Sequence, residues 1–306
     1  MNVLILSAGG PAAVGVIKSL KDMNFDGRII SVDADELAVG FYMSDKYYIV
    51  PPMQDDKYIK EISKVVEVEN IDLILPTGPD VEPISKNAHL FEGKLFMSDY
   101  ESIMDCTDKW RFYNKCKDEF PLPKTFKGEY GDLRNYVFKK PISGSGSRGC
   151  KKINITDASA WKEFEEPNMI YSEYLPGQEY TIDVLCDMKS NPLVVIPRKR
   201  LQTKAGISSK GEIINDDFIK KACFNACKFL KLKGAVCLQM KDDKDGNPKF
   251  IEINPRFGGG TYFTTLAGVN FMKIIFDVLQ NKEILINEPK LIKVLRYYEE
   301  VIIWDF

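Results

Sequence analysis

The feature that most constrains the fold is a strand-turn-helix-strand unit at the start of the chain. Residues 2–6 form a continuous apolar run, which is typical of a parallel strand buried on both faces. A glycine turn follows at 7–10, residues 12–23 have the apolar spacing of a helix, and residues 29–32 predict the next strand. Two strands joined through a helix indicate a parallel sheet. The chain is therefore predicted to begin with an α/β lobe.

The turn after the first strand lacks a complete dinucleotide fingerprint. It reads Gly9-Gly10-Pro11, and the next glycine is Gly15, which breaks the GxGxxG spacing. Asp33 does end the second strand, as an acid does in many NAD sites. The broken spacing favours a structural α/β unit over NAD binding.

The first lobe continues to about residue 105. Further strands are predicted at 46–50 and 72–75. The loop 76–80 follows the second of these, at the carboxyl end of a strand, where open α/β sheets bind ligands. Glu82 is a candidate for contacting a substrate amine, and a helix-start acid that favours the helix dipole explains it equally well.

Composition and charge exclude several classes of function. The chain has 306 residues and a net charge of −2, so nucleic-acid binding is not expected. No apolar run reaches membrane-spanning length, and the N-terminus has no basic signal-peptide start. The seven cysteines are scattered without a CxxC pair, which predicts reduced thiols in a cytoplasmic protein. The single histidine, His89, has no evident catalytic partner, so a His-based site is not expected.

A strand that ends in two lysines runs into a loop rich in glycine and serine. Lys139 and Lys140 close the strand 136–141. In the loop 142–149, backbone N–H groups and hydroxyls suit phosphate groups, and Arg148 adds positive charge. No GK[ST] follows, so this is not a Walker A loop, and a flexible hairpin turn has the same composition.

A basic cluster follows the apolar strand 193–197. It contains Arg198, Arg200 and Lys204. An anionic substrate or a phosphate would suit these side chains, and a solvated rim explains them equally well. We expect the segment 198–210 to be a loop that helps to choose the substrate.

A short strand at 250–253 carries the most informative polar pattern. Glu252 and Asn254 are two residues apart, so both face the same side of the strand. Their oxygens are ligands that Mg²⁺ takes together with nucleotide phosphates. A second strand pairs with this one across a turn, which brings Gln239 near Glu252. Arg256 shares the same parity. Taken alone, these residues equally suit a solvated edge strand followed by a glycine-rich turn.

Three motifs in this order resemble the ATP-grasp superfamily, closest to the carbamoyl-phosphate-synthase-like carboxylate–amine ligases. They are KKP with GSGSRG over 139–149, EYLPGQE over 173–179 and FIEINPR over 250–256. The resemblance covers the chain from its start to about residue 280. It implies an α/β fold that becomes α+β in the ATP-grasp part.

The resemblance also implies the domain organisation. A Rossmann-like pre-ATP-grasp domain occupies 1–105, and a two-lobed ATP-grasp domain occupies 106–306. Within the second domain, a lid is expected at about 120–178 and a metal-binding lobe at about 179–306. The tail segments 294–298 and 300–306 have the alternation of strands.

The resemblance gives a role to each matching position. The nucleotide lysines are Lys109 and Lys140, with Lys139 as the alternative register for the second. The loop that closes over the phosphates contains Gly144, Ser145, Gly146 and Ser147. The positions for adenine and ribose are Glu173, Tyr174, Leu175 and Glu179. The metal ligands are Gln239, Glu252 and Asn254. Phosphoryl transfer is assigned to Arg256, Arg148 and Asn254.

The implied cofactors are ATP and Mg²⁺, with a pair of ions expected and Mn²⁺ as a substitute. A carboxylate attacks the γ-phosphate to form an acylphosphate, and an amine or ammonia then displaces phosphate. Arg198, Arg200 and Lys204 are the candidates for the substrate carboxylate. The chain has no second copy of the module and no glutaminase-like nucleophile, so an amino-acid or sugar-acid ligase is expected rather than carbamoyl phosphate synthesis.

Three other functions remain open at this point. A small-molecule kinase would use the same nucleotide residues without an amine, and a regulatory protein would bind ATP without turnover. An NAD oxidoreductase fits least, because the fingerprint is broken. The expected partners are small-molecule substrates, with neither nucleic acid nor membrane, and the base rate of oligomers favours a homodimer.

Overall fold

The described part of the chain contains three β-sheets, and helices pack on the parallel sheet and on the largest sheet. The computed structural model describes residues 1–128, 131–144, 149–157, 166 and 168–303. One sheet is parallel and lies in the N-terminal lobe, and the other two are antiparallel. No helix in these ranges is both long and apolar enough to span a membrane. The structure therefore has the α/β and α+β parts that the sequence predicts.

The N-terminal sheet has four parallel strands in the order β3-β2-β1-β4. The strands are Asn2–Leu6 (β1), Arg28–Asp33 (β2), Lys46–Ile49 (β3) and Leu73–Pro76 (β4). The helices are Pro11–Asp22 (α1), Tyr58–Val68 (α2), Val81–Lys86 (α3) and Tyr100–Thr107 (α4), and short 3-10 helices cover Val39–Met43 and Ala88–Phe91. Residues 3–6 of β1 are fully buried, as the continuous apolar run predicts.

A small antiparallel sheet follows, in the order β5-β8-β6-β7. Its strands are Thr125–Lys127 (β5), Tyr136–Pro141 (β6), Lys151–Asn154 (β7) and Met169–Glu173 (β8). Helix Lys109–Cys116 (α5) precedes the sheet, and its cap is Asp108, whose carboxylate accepts from the backbone N–H groups of Trp110 and Arg111. A small core of its own holds this sheet together, built on Val137 and Tyr171.

The largest sheet has six antiparallel strands in the order β13-β12-β9-β10-β11-β14. They are Glu179–Cys186 (β9), Pro192–Lys204 (β10), Ile207–Ile213 (β11), Gly234–Asp242 (β12), Pro248–Asn254 (β13) and Lys293–Leu295 (β14). Its helices are Asp217–Phe229 (α6), Thr261–Leu266 (α7) and Phe271–Leu279 (α8). One face packs against α6, and the other packs toward α7, α8 and the N-terminal lobe.

Two predicted regions differ from the structure. The segment 198–210 is mainly a hairpin rather than a loop, because β10 continues through Lys204 and pairs with β11. In the tail, 293–295 pairs with β11, whereas residues 296–303 form no strand. The prediction of strands at 294–298 and 300–306 is therefore wrong for 296–298 and 300–303. The chain leaves the sheet where the Arg296 side chain turns inward to donate to the Gly259 carbonyl. Residues 304–306 lie outside the described part.

The N-terminal lobe and the largest sheet share one hydrophobic core. Val16 and Ile17 of α1 belong to the same buried cluster as Leu185 of β9, Phe263 of α7 and Ile275 of α8. A backbone bridge also joins residue 97 to residue 234 at the start of β12. These contacts fix the carboxyl ends of the parallel strands against the large sheet. The division of the chain near residue 105 stays a prediction.

We expect Gly234→Ala to destabilise the junction between the lobes. Gly234 has a φ of +70°, and a Cβ there would overlap the Phe96 carbonyl oxygen. Left-handed backbone and overlap together should cost roughly 2–5 kcal/mol of unfolding free energy, measured by urea denaturation. Gly246→Ala is the matched control, because its φ is +83° but a Cβ meets nothing within 4 Å. Equal losses for both variants would contradict the steric argument.

Candidate active site

A cavity of about 510 Å³ opens where the three sheets meet. Its N-terminal wall consists of the loops after β1 and β4 and the first residues of α1. The small sheet forms a second wall, and the polar face of β9, β12 and β13 forms the floor. This is the edge at which a parallel sheet presents its carboxyl ends, so the fold directs loop residues of one lobe at strand residues of another.

The floor carries the predicted acid and amides. Gln239 lies directly opposite Glu252 on the neighbouring strand, which confirms the predicted pairing, and Asn254 lies opposite Cys237. All of these residues line the cavity. A bulge shifts the register beside them, so that Phe250 rather than Ile251 faces Met240. Phe250 is thereby buried in the core behind the sheet, while Glu252 faces the cavity.

Two lysines converge on Glu252 from the opposite wall. The Nζ of Lys109 donates to the Gly144 carbonyl at 2.9 Å and lies 3.7 Å from Oε1 of Glu252. The Nζ of Lys140 donates to the Ile251 carbonyl at 3.3 Å. Burial lowers the pKa of Lys140 to about 8, and Lys109 adds to this, whereas the Glu252 carboxylate opposes it. The cavity thus places two lysines beside the Glu252 carboxylate.

Of the two adjacent lysines, Lys140 lines the cavity and Lys139 does not. The Lys139 ammonium is 2.6 Å from a Glu166 carboxylate oxygen. Because successive residues of a strand face opposite sides, this pairing leaves Lys140 directed at the floor. The geometry favours Lys140 over the alternative register, Lys139, that was considered from the sequence.

The donor set on the floor suits a magnesium ion. Glu252 supplies a carboxylate, and Gln239 and Asn254 supply amide oxygens, all on one face of the sheet. Mg²⁺ binds few protein oxygens and completes its shell with water and phosphate oxygens. The described residues contain no cluster of at least three His, Cys, Asp or Glu side chains suited to a metal. Any metal here would therefore depend on phosphate for much of its coordination.

The segment 173–175 connects the small sheet to the floor and lines the cavity. Glu173 accepts hydrogen bonds from the Lys249 ammonium at 2.8 and 3.0 Å. The Tyr174 ring packs against the Lys152 ammonium, 4.0 Å from the ring centroid, and Leu175 is buried. These contacts hold an extended segment with an apolar side chain at the cavity edge.

Glu179 and Arg200 face each other across the floor. An Arg200 nitrogen donates to Glu179 at 2.6 Å and to the Gln239 amide oxygen at 3.3 Å. A second nitrogen of Arg200 donates to the Gly206 carbonyl at 2.6 Å, which ties the tip of the β10–β11 hairpin to the floor. Arg200 thus lies among the predicted ribose and metal residues.

The other predicted substrate residues do not line the cavity. Arg198 is 1% exposed and donates to Asp183 at 2.8 Å, so its charge is neutralised inside the sheet. Lys204 is exposed at the hairpin and donates to the Tyr298 hydroxyl. Glu82 is exposed on α3, outside the cavity lining. A direct contact of Arg198 with substrate is inconsistent with this burial. Its place in a basic cluster after an apolar strand is what suggested such a contact.

Part of the predicted phosphate loop lies outside the described residues. This applies to Ser145, Gly146, Ser147 and Arg148. Gly144, which is described, lines the cavity with a φ of +126°. A positive φ of this kind is readily adopted only by glycine. The backbone conformation at residue 144 therefore explains why a glycine stands at the entrance of the loop.

Sequence reasoning missed Ser7 and Asp80, which lie in the loops of the N-terminal wall. The Ser7 hydroxyl donates to Asp80 at 2.9 Å, and the Gly78 N–H donates to the same carboxylate at 3.0 Å. Ser7 and Gly78 line the cavity, and Asp80 lies buried behind them. The available signal was that each residue follows a predicted strand. The sequence did not show that these two strands, β1 and β4, are neighbours in the sheet.

We expect Lys140→Met to stabilise the protein at pH 7. A pKa lowered from 10.5 to about 8 corresponds to a cost of roughly 3 kcal/mol for the buried charge. The wild type should gain stability as the pH rises from 8 to 10.5, because the folded state releases the proton first, and the variant should not. Urea denaturation at pH 7, 9 and 10 measures this difference.

The adjacent variant Lys139→Met is the control for the buried lysine. It removes an ammonium that is paired with Glu166, so no gain in stability is expected. A Lys140→Met protein that is less stable than the wild type at pH 7 would contradict a net cost of burying the Lys140 charge.

Two family models match the chain. Residues 165–300 match the model described as ATP-grasp in the biosynthetic pathway with Ter operon, and residues 3–92 match the PylC-like N-terminal domain. Among curated proteins, no sequence matches the chain significantly.

Several solved structures are similar over nearly the whole chain. Biotin carboxylase from Campylobacter jejuni in complex with β-γ-ATP has a TM-score of 0.71 and 16% identity, covering 94% of this chain and 73% of that chain. N5-carboxyaminoimidazole synthetase from Staphylococcus aureus complexed with ADP has a TM-score of 0.74 and 15% identity, covering 95% and 79%.

A third similar structure is the biotin carboxylase domain dimer of 2-oxoglutarate carboxylase from Hydrogenobacter thermophilus, in complex with MgADP, ADP and bicarbonate. Its TM-score is 0.69 and its identity 17%, covering 94% of this chain and 71% of that chain. At these identities the likeness establishes a shared fold. Together with the family models it confirms the resemblance inferred from the three motifs. The chain therefore carries an ATP-grasp domain and has the ATP-grasp fold over nearly its whole length.

Proposed function

We propose that this protein is an ATP-dependent ligase that activates a carboxylate as an acylphosphate and couples it to an amine or ammonia. The observation that carries the proposal is the arrangement of the floor and its facing wall. Gln239, Glu252 and Asn254 share one face. Lys140 approaches them from the small sheet, and Lys109 approaches them from the start of α5. Such a set of one acid, two amides and two cations suits a magnesium-bound triphosphate better than an uncharged ligand.

The nucleotide would lie between the small sheet and the floor. Glu173, Tyr174 and Leu175 would contact adenine, and Glu179 would contact the ribose. Lys140 would contact the α-phosphate, and Gly144 begins the loop over the outer phosphates. The complexes of the similar structures with ATP or ADP support this placement.

A bound Mg²⁺ would neutralise phosphate charge and align the γ-phosphate for attack. Glu252 and Asn254, with Gln239 beside them, are the residues that would hold it. Arg256 lies next to them, with one nitrogen 3.3 Å from the Asn254 amide oxygen. Its guanidinium would stabilise the phosphoryl group during transfer, because phosphoryl transfer depends on positioning and charge neutralisation.

Both substrates are expected to be small molecules that enter beyond Arg256. There the cavity is lined by small residues of the N-terminal wall, including Gly10, Ala12 and Gly78. Arg200 is the remaining candidate for the carboxylate among the cations of the β10–β11 hairpin. The dimer seen for one similar structure supports a homodimer as the assembly to test first.

The proposal is tested by ADP and phosphate release from Mg-ATP across a panel of amino acids and sugar acids, with and without amines. Release that requires both a carboxylate and an amine is the expected result. ADP release with a carboxylate alone, yielding a stable phosphorylated product, would instead establish a kinase. Nucleotide binding without turnover across the panel would contradict a ligase acting on these classes.

We expect Glu252→Gln to reduce magnesium-dependent turnover by more than about a hundredfold, because the floor loses its carboxylate for the metal. Glu212→Gln is the matched control, since Glu212 is an acid of the same sheet that pairs with Lys293 at 3.7 Å, away from the cavity. Steady-state ADP release at varied Mg²⁺ measures the effect. Turnover within threefold of the wild type for Glu252→Gln would refute the metal assignment.

A further inference from the structure

The N-terminal wall contains a hydroxyl and a carboxylate that the proposed nucleotide site does not use. Ser7 follows β1 and Asp80 precedes α3, and the Ser7 hydroxyl donates to Oδ2 of Asp80 at 2.9 Å. The other oxygen, Oδ1, accepts from the Gly78 N–H at 3.0 Å. Ser7 lines the same cavity as Arg256 and Gly258. A serine whose proton is held by a buried acid presents its oxygen lone pairs to the cavity.

Among the described residues, Asp80 is hydrogen-bonded by neutral donors and not by a lysine or arginine. It is 1% exposed, and both of its hydrogen bonds come from uncharged groups. Burial raises the pKa of Asp80 to about 6, Arg256 opposes this at longer range, and Asp33 adds to it. Tyr58 of α2 also faces Asp80 and Asp33, and burial raises the pKa of its hydroxyl. A buried carboxylate without a counter-ion is costly, which favours a functional reason for it.

The local backbone is built around the contact. Ser7 has a φ of +56°, which is uncommon for a residue other than glycine. At Gly78 a side chain would overlap the Ser7 hydroxyl, so the two loops approach as closely as glycine permits. The Thr77 hydroxyl donates to the Leu6 carbonyl at 2.7 Å and ties the same loops together. Strained conformations held in this way are concentrated at functional sites.

We infer that Ser7 and Asp80 form the proton-accepting pair for the attacking amine, an inference that rests on the proposed ligase function. Ser7 is the catalytic residue that contacts the amine nitrogen, and Asp80 is the positioning residue that receives the proton through it. The second substrate at this wall is then a primary amine or ammonia rather than a carboxylate. The small side chains beside Ser7 leave room for it, and the acid excludes a second anion.

The step balances as follows. The amine nitrogen forms a bond to the acyl carbon, and the bond from that carbon to the phosphate oxygen breaks. Phosphate leaves with the electron pair of that bond. One proton passes from the nitrogen to the Ser7 oxygen while the Ser7 proton passes to Asp80, which later releases it to water. No oxidant, reductant or further reactant is needed.

The test separates acylphosphate formation from amide formation. Wild type, Asp80→Asn and Ser7→Gly are assayed with Mg-ATP and the same panel of amino acids and sugar acids as carboxylates. Hydroxylamine captures any acylphosphate as a hydroxamate, since it attacks such species without a catalyst. Ammonium chloride and ethylamine then serve as the amines. Ser7→Gly removes the hydroxyl at a position with positive φ, so it relieves backbone strain rather than adding it.

We expect hydroxamate formation within threefold of the wild type in both variants, and amide formation at least about a hundredfold slower. In the wild type the amide rate should fall as the pH drops through about 6, because Asp80 becomes protonated, and Asp80→Asn should lack this limb. Ser85→Ala is the control for the fold of α3, since the Ser85 hydroxyl donates to the Glu82 carbonyl of the same helix at 2.9 Å.

Three results would overturn the inference or its basis. Wild-type amide rates in both variants would show that the pair takes no part. Equal loss of hydroxamate and amide in both variants, with melting temperatures like that of Ser85→Ala, would show a role in an earlier step. A wild type that forms neither product would overturn the proposed function, and the inference with it.

Discussion

The buried ion pair between Arg198 and Asp183 is the interaction on which the site depends. Both side chains are 1% exposed, and a guanidinium nitrogen donates to the carboxylate at 2.8 Å. Asp183 also accepts from the Thr264 hydroxyl at 2.7 Å, which joins the floor of the cavity to α7. Breaking such a pair by removing one partner leaves a buried charge and costs about 3–5 kcal/mol. The pair therefore ties β9 to β10, and the contact with Thr264 ties both strands to α7.

The glycines after Arg256 follow from this constraint. A side chain at Gly260 would overlap the Arg198 guanidinium, and one at Gly258 would lie 2.6 Å from the Cys237 sulfur. The segment can cross the sheet this closely because it carries no side chains there. It returns the chain to α7 and leaves Arg256 at the cavity. The run of glycines is thus explained by close packing against β10 and β12.

Much of the floor could be predicted from the sequence, because a strand repeats every two residues. That period places Glu252 with Asn254, and the turn between β12 and β13 brings Gln239 opposite Glu252. The same period could not separate Arg198 from Arg200, which share a parity. One is neutralised by Asp183 and the other reaches Glu179, and only the pairing of β10 with β9 decides this. The Ser7–Asp80 contact joins residues 73 apart along the chain, so no local pattern could reveal it.

The cavity combines a cationic floor region with a nearly uncharged wall. Lys109 and Lys140 lie beside the Glu252 carboxylate. Arg256 lies beside Asn254, and these cations would attract a polyanion such as a nucleotide triphosphate. The opposite wall offers small side chains, a hydroxyl and a buried acid. This asymmetry suits a reaction in which phosphate is held at one end and a neutral nucleophile arrives from the other.

The most direct test of the central claim is the fate of the carboxylate oxygen. With a carboxylate substrate labelled with ¹⁸O, attack on the γ-phosphate followed by displacement must leave one labelled oxygen in the released phosphate. The proposed ligase predicts ¹⁸O in the phosphate whenever amide is formed, measured by mass spectrometry. Unlabelled phosphate accompanying amide formation would contradict an acylphosphate intermediate, and with it the account of this site.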